Sequence, residues 1–280
     1  MTSRPSGLPT ISLANLKGGA AKTVSSVALA GVMVRSGASV LLVDLDPQGT
    51  ASAWLAERSD ATTRLLSGDF DPSEDVTGAF VPEEGSRLDM VTSNRSLEDA
   101  TERRPSDLSR RLEKLWRGAA EGYDVGMVDT PPQAGSLVTA ALLSTASVLV
   151  PVAAGRGAVD GLQHVLQYTR RIGGAGVEAA FTCNVDARTY LDRRVAERLI
   201  DQLGALSDGG RACRHYVRST VSVREAEADG SPLGEYAPRS TAWTDYNALA
   251  GELFDAGVIP AGPDGAGTEG AASIDEGATT

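Results

Sequence analysis

Seven residues constrain this chain more than any others: Lys17-Gly18-Gly19-Ala20-Ala21-Lys22-Thr23, set between a strand-like run, Thr10 to Leu16, and a helix-like run, Val24 to Arg35. A loop that wraps an anion must turn backbone N–H groups inward. Glycine allows that turn without a Cβ clash, and the helix that follows adds positive potential at its amino terminus. Gly18 and Gly19 fit that need, and the unit reads as a nucleotide-phosphate cradle. Lys22 would reach the β- and γ-phosphates as a mobile charge, and Thr23 would offer its hydroxyl to Mg²⁺. The loop departs from the ordinary pattern, because Leu16 and Ala21 stand where glycine is expected. It carries Lys17 in addition. One triphosphate rarely needs two lysines from one loop, so Lys17 points to a nucleotide held by a second subunit, as in an ATP-sandwich dimer. The chain has three lysines (Lys17, Lys22 and Lys114) against twenty-three arginines, so an ammonium is selected at both loop positions.

The remainder reads as an alternation of apolar strands and amphipathic helices. Ser39 to Val43 is an apolar run without alternation, as expected of a parallel strand covered on both faces. Further strands are expected over 87–91, 123–128, 147–152 and 177–184, with helices near 97–120, 137–144, 159–171 and 242–254. This alternation implies a mostly parallel twisted sheet flanked by helices. The stretch from Glu57 to Ser86 is polar and Gly/Pro-rich, and predicts little beyond an excursion with a short helix. Beyond Leu191 a helical run carries Arg193, Arg194 and Arg198. Residues 1–9 read as a short extension, 10–256 as the folded domain, and 257–280 as a disordered acidic tail without aromatic residues.

In such sheets ligands collect at the carboxyl ends of strands. Asp44 and Asp46 follow one strand and Asp129 follows another, so all three acids belong on the rim of the phosphate loop. Asp46 is the candidate to orient an attacking water, Asp129 to hold Mg²⁺ through water, and Asp44 to support them.

A net charge of −11 argues against a protein that coats nucleic acid with its whole surface, yet a local patch is compatible with it. Between Arg188 and Arg224 there are eight arginines against four acids, a local balance of +4. No apolar run approaches the ~20 residues that span a bilayer. Cys183 and Cys213 form no metal-ligand pattern, and a reducing cytoplasm is the expected setting.

Five motifs in order, Lys17-Gly18-Gly19-x-x-Lys22-Thr23, Asp44-Leu45-Asp46-Pro47-Gln48, Tyr123 to Pro132, Val185-Asp186-Ala187-Arg188-Thr189, and Arg224-Glu225-Ala226 with Gly234 to Pro238, make the chain resemble the ParA-type partition ATPases. These belong to the ParA/MinD superfamily and carry a deviant Walker A loop on a P-loop NTPase fold. The likeness covers about Thr10 to Leu253. It implies an ATP- and Mg²⁺-dependent homodimer that binds DNA without sequence preference, sits on the nucleoid, and is stimulated by a centromere-binding ParB-type partner. It implies that Lys17, Gly18, Gly19, Ala20, Ala21, Lys22, Thr23 and Val24 surround the nucleotide, that Lys17 contacts the partner subunit's nucleotide, and that Asp46 is the hydrolytic acid. Val24 replaces a hydroxyl residue that would touch the α-phosphate. Asn184 stands where relatives place an adenine-reading amide, with an ordinary turn residue as the alternative. The family's DNA-contacting arginine maps onto Arg188, and Arg218 and Arg224 flank a second such position occupied here by Ser222.

A membrane-positioning ATPase of the MinD type would need a C-terminal amphipathic helix, and 257–280 offers none. An iron-sulfur reductase would need bridging cysteines at the rim. An ATP-binding scaffold for a protein cargo, with weak hydrolysis, is the alternative from another class.

Overall fold

The computed structural model describes residues 7–82, 85–155, 157–186, 188–190, 194–195, 197–198, 201 and 210–262. Among them, strands β1 (Thr10–Leu13), β2 (Val40–Asp44), β3 (Val76–Phe80), β4 (Leu88–Val91), β5 (Val125–Asp129), β6 (Ser147–Ala153), β7 (Val177–Cys183) and β8 (Arg211–Ala212) form one sheet in the order β3-β4-β2-β5-β1-β6-β7-β8. Every pairing is parallel except β3 on β4, where an edge strand runs antiparallel and carries a register shift between Gly78 and Phe80. The chain leaves β1 toward β2 and β4 on one side, and later fills β6, β7 and β8 on the other. The crevice at the carboxyl end of β1 is therefore the place where such a sheet binds ligands.

The expected mostly parallel α/β architecture is what the chain forms, and β2 explains why its sequence lacks alternation. Val40 and Leu42 enter one core with the helices Lys22–Arg35 and Thr241–Asp255, while Leu41 and Val43 enter another with the helices Ala61–Ser67 and Pro105–Ala119. A strand covered on both faces has no solvent side on which to place polar residues.

Close approach of helix to sheet depends on Gly126, the second residue of β5. A methyl group there would fall 2.7 Å from the ring of Trp116, which is fully buried on the helix Pro105–Ala119. Gly126→Val is expected to lower stability by about 1–3 kcal/mol through overpacking. In urea its unfolding midpoint should fall at constant slope.

Three sequence expectations meet a different structure. The single helix expected over 97–120 is instead a 3-10 helix, Arg95–Glu102, followed by an α-helix, Pro105–Ala119. Pro105 at the first turn is compatible with starting a helix but not with continuing one through it, and Arg104 before it is extended. The excursion after Glu57 holds the helices Ala61–Ser67 and Pro72–Asp75 and the strand β3. The second helix begins where the Asp71 carboxylate accepts a bond from Ser73 N–H and Pro72 supplies a preset φ. Near the ends of the domain, Leu8, Val258 and Ile259 are buried in the core, whereas the sequence reading places them in the extension and the tail. Most of the helical run beyond Leu191, Arg193 included, and residues 263–280 lie outside the described residues.

Candidate active site

β1 ends at Leu13, and the chain turns away into the phosphate loop. Asn15 is buried and pins the turn from both ends of its amide: Nδ2 donates to the Pro151 carbonyl at 2.8 Å, and Oδ1 accepts from Lys17 N–H at 3.0 Å. Ala20 is buried, and its carbonyl accepts from the buried Cys183 thiol at 3.5 Å, so β7 supports the loop from beneath. Cβ atoms built on Gly18 and Gly19 would meet nothing within 4 Å, and Gly19 has φ +73°. The loop thus presents an open, side-chain-free face.

Ala21 keeps the conformation for which glycine is usual. It lies in the left-handed region (φ 57°, ψ 28°), and its carbonyl accepts the first helical bond from Ser25 N–H at 2.9 Å. The strain of a Cβ in this region costs about 1–2 kcal/mol. The loop therefore keeps its shape despite the substitution. Val24 packs on the apolar core instead of presenting a polar group.

The helix Lys22–Arg35 carries Lys22 and Thr23 on its first turn, against β5. Thr23 Oγ1 donates to Asp129 Oδ2 at 2.7 Å, and Ser26, one turn on, donates to Asp129 Oδ1 at 2.9 Å. Asp129 is the last residue of β5 and pairs in register with Asp44, the last of β2. Both carboxylates are wholly buried. Burial pushes the Asp129 carboxyl up to about 7; the charge of Asp44 adds to this, while Thr23, Ser26 and Lys22 act against it. Asp44 rises to about 6 for the same first cause, offset by bonds from Ser52 N–H, Ser52 Oγ and Asp46 N–H. Burial lowers the Lys22 ammonium, and the charges of Asp129 and Asp46 partly restore it.

These shifts set a pH dependence. Between the ordinary aspartate value near 4 and about 6 to 7, the unfolded chain releases protons that the folded pair retains. Stability from the pair is therefore full in acid, falls as pH rises through that window, and is level above it. The melting temperature of the nucleotide-free protein is expected to show this fall between about pH 4 and 7, and Asp129→Asn should remove most of it. Equal slopes in the two proteins would rule the pair out as its source.

Asp46 lies just past β2 and is partly exposed. Its Oδ1 accepts from Gln48 N–H at 2.9 Å, and among the described residues no hydrogen bond reaches Oδ2. Lys17 is exposed. Its ammonium lies 4.0 Å from where a Gly157 Cβ would stand, beside the amino terminus of the helix Ala158–Ile172 and its first-turn acid Asp160. Asn184 is exposed and left-handed (φ 54°) at the end of β7, a conformation suited to a turn residue.

Lys22, Thr23, Asp44, Asp46 and Asp129 thus gather on one rim. Ser26, Ser52 and Asn15 belong with them, and the sequence reading missed them. Ser26 had a signal, since it stands one helical turn after Thr23.

The basic stretch is less uniform than its composition implies. Arg188 is almost fully exposed, but its guanidinium forks onto Asp186 (2.9 Å to each carboxylate oxygen), which holds that carboxyl down at about 2. Arg218 bridges to Val185, which brings it beside the Asp186–Arg188 turn, and its guanidinium grips Asp245 on the last helix at 2.8 and 2.6 Å. It is two-thirds buried, so its first role is to anchor that loop. Arg224 is exposed on the helix Val221–Asp229 and makes no ion pair among the described residues.

A family model described as an AAA domain matches residues 8–178. The chain is 31% identical to the chromosome-partitioning ATPase Soj of Thermus thermophilus, over 87% of this chain and 94% of that protein. It is 30% identical to the sporulation initiation inhibitor protein Soj of Bacillus subtilis, over 87% and 97%. Among solved structures, the septum site-determining protein MinD of Pyrococcus horikoshii, complexed with Mg-ADP, superposes with a TM-score of 0.70 at 18% identity, covering 88% of this chain and 96% of that one.

Proposed function

The chain belongs to the Soj/ParA family of partitioning ATPases, and from that premise we propose that it binds and hydrolyses ATP as a sandwich dimer that holds DNA without sequence preference and is stimulated by a ParB-type partner. The observation that carries the reading is the gathering, at one rim, of Lys22, the Thr23–Asp129 pair at 2.7 Å and the half-bonded Asp46 carboxylate beside an open Gly18-Gly19 face.

In this reading Lys22 and the loop N–H groups of residues 17–24 hold the phosphates. Thr23 and Asp129 offer hard oxygens of the kind Mg²⁺ prefers, and the bound ion would neutralise charge on the phosphate oxygens. Asp46 orients the attacking water with Oδ2 while Gln48 N–H fixes Oδ1. Lys17 reaches the nucleotide of the second subunit, and Asn184 reads the adenine. Two copies of the basic edge, brought to one face by dimerisation, make an acidic protein DNA-binding only in its ATP state, and so place it on the nucleoid.

Duplex binding measured against salt tests this. With ATP, log affinity for random duplex should fall linearly with log salt, by about 0.9 per phosphate contacted. Arg224→Ala should flatten that slope by about 2 per dimer, with one contact from each subunit. Arg188→Ala should weaken all sequences alike, whereas Arg218→Ala should also loosen the fold, because Asp245 loses its partner. Absence of ATP-dependent duplex binding at low salt would sink the DNA assignment. Turnover measured with DNA and partner separates an active ATPase from an ATP-binding scaffold.

A further inference from the structure

A cavity of about 510 Å³ lies on the sheet face covered by the helices Ala61–Ser67 and Pro105–Ala119, and none of the phosphate-loop residues lines it. Leu41 and Asp89, near the amino ends of β2 and β4, line it, whereas Asp44 and Asp129 close the carboxyl ends of β2 and β5. Three residues of strand, about 10 Å, separate Leu41 from Asp44. The excursion after Glu57 supplies one wall through Leu65, Phe70 and Val76, and the helix Pro105–Ala119 supplies the other through Leu115.

The polar groups at this apolar bowl are not balanced. Asp89 is already engaged: it accepts from Tyr123 Oη at 2.7 Å and from Arg87 Nε at 2.8 Å. Arg111 and Lys114, on the same helix face, both line the cavity, and neither makes a hydrogen bond or ion pair among the described residues. Arg111 is nevertheless placed, because its guanidinium carbon lies 2.7 Å from where a Gly68 Cβ would stand. Glycine at 68 thus lets the cation lie against the backbone at the cavity wall. Lys114 is the one lysine of three that is not in the phosphate loop, in a chain that otherwise uses arginine for positive charge.

We propose that this cavity binds a small amphipathic anion, an apolar body bearing one carboxylate, sulfonate or phosphate head, at a site separate from the nucleotide. Its volume lies within the range of ligand pockets, about 300–1,000 Å³. The apolar walls take the body, and Arg111 and Lys114 take the head by charge-assisted hydrogen bonds.

The test is fluorescence titration of the full chain with anilinonaphthalene sulfonate. Saturable binding at one site is expected, displaced by decanoate but not by decylamine or by Mg-ATP. Arg111→Gln and Lys114→Gln should each weaken the probe about tenfold, the loss of one charge-assisted bond. Gly118 lines the mouth with nothing within 4 Å of its Cβ position, so Gly118→Leu should block the site. It should also leave the melting temperature at or above that of the wild type, since leucine is the better helix former. The proposal is overturned by absence of probe binding, by binding that all three variants leave unchanged, by equal displacement with decylamine, or by displacement with Mg-ATP, which would place the probe in the nucleotide site.

Discussion

Asp46→Ala is expected to bind ATP with near wild-type affinity, to dimerise, and to hydrolyse at least about a hundredfold more slowly, the scale of losing one positioned acid–base group. The reason lies in how the residue is held. Its main chain is fixed independently of its charge, with the carbonyl accepting from Ser93 Oγ and Gly49 N–H, each at 2.9 Å. Alanine leaves those bonds in place and removes only the carboxylate and its bond from Gln48 N–H. The result would be a trapped ATP dimer. The check is partner-stimulated turnover and nucleotide affinity measured on one preparation. Undiminished turnover would remove the role from Asp46, and Asp44 is poorly placed to inherit it, being wholly buried and bonded to Ser52 and Asp46 N–H.

Lys17→Ala is expected to lose ATP-dependent dimerisation while keeping nucleotide binding. Within its own subunit the Lys17 ammonium lies near Gly157, and its backbone bond to Asn15 survives the substitution. Lys22, buried beside Asp129, remains to hold the phosphates of the same chain. Light scattering with and without ATP reads the association state. Lys17→Arg should restore it poorly, since a planar fork does not replace a compact ammonium. A Lys17→Ala protein that dimerises normally would sink the sandwich arrangement.

Much of the architecture was legible because its signals are local. β1, the loop and the first helix follow from a strand, two glycines and an Ala/Val-rich run, and the helix differs from expectation only in starting at Lys22. Strand-end acids could be placed on the ligand rim because parallel strands share one direction. The stretch over 97–120 misled because apolar spacing continues across Pro105, and the break comes from backbone sterics that periodicity does not register. The excursion after Glu57 was unreadable because its short helices and β3 are stabilised by what they cover. Leu65 and Leu66 are buried in the core beside Leu41 and Leu115.

The sequence by itself determined the α/β alternation, the phosphate loop and the family, since each rests on residue types at short spacing. Only the tertiary structure decided which distant groups meet. In-register pairing of β2 and β5 sets Asp44 against Asp129, and their shared burial shifts both carboxyls. The same holds for the basic edge: composition counts Arg188, Arg218 and Arg224 as equals, whereas the fold pairs the first with Asp186, the second with Asp245 and leaves the third exposed. Charge is a property of residues, but its availability depends on which partner the folded chain brings within about 3 Å.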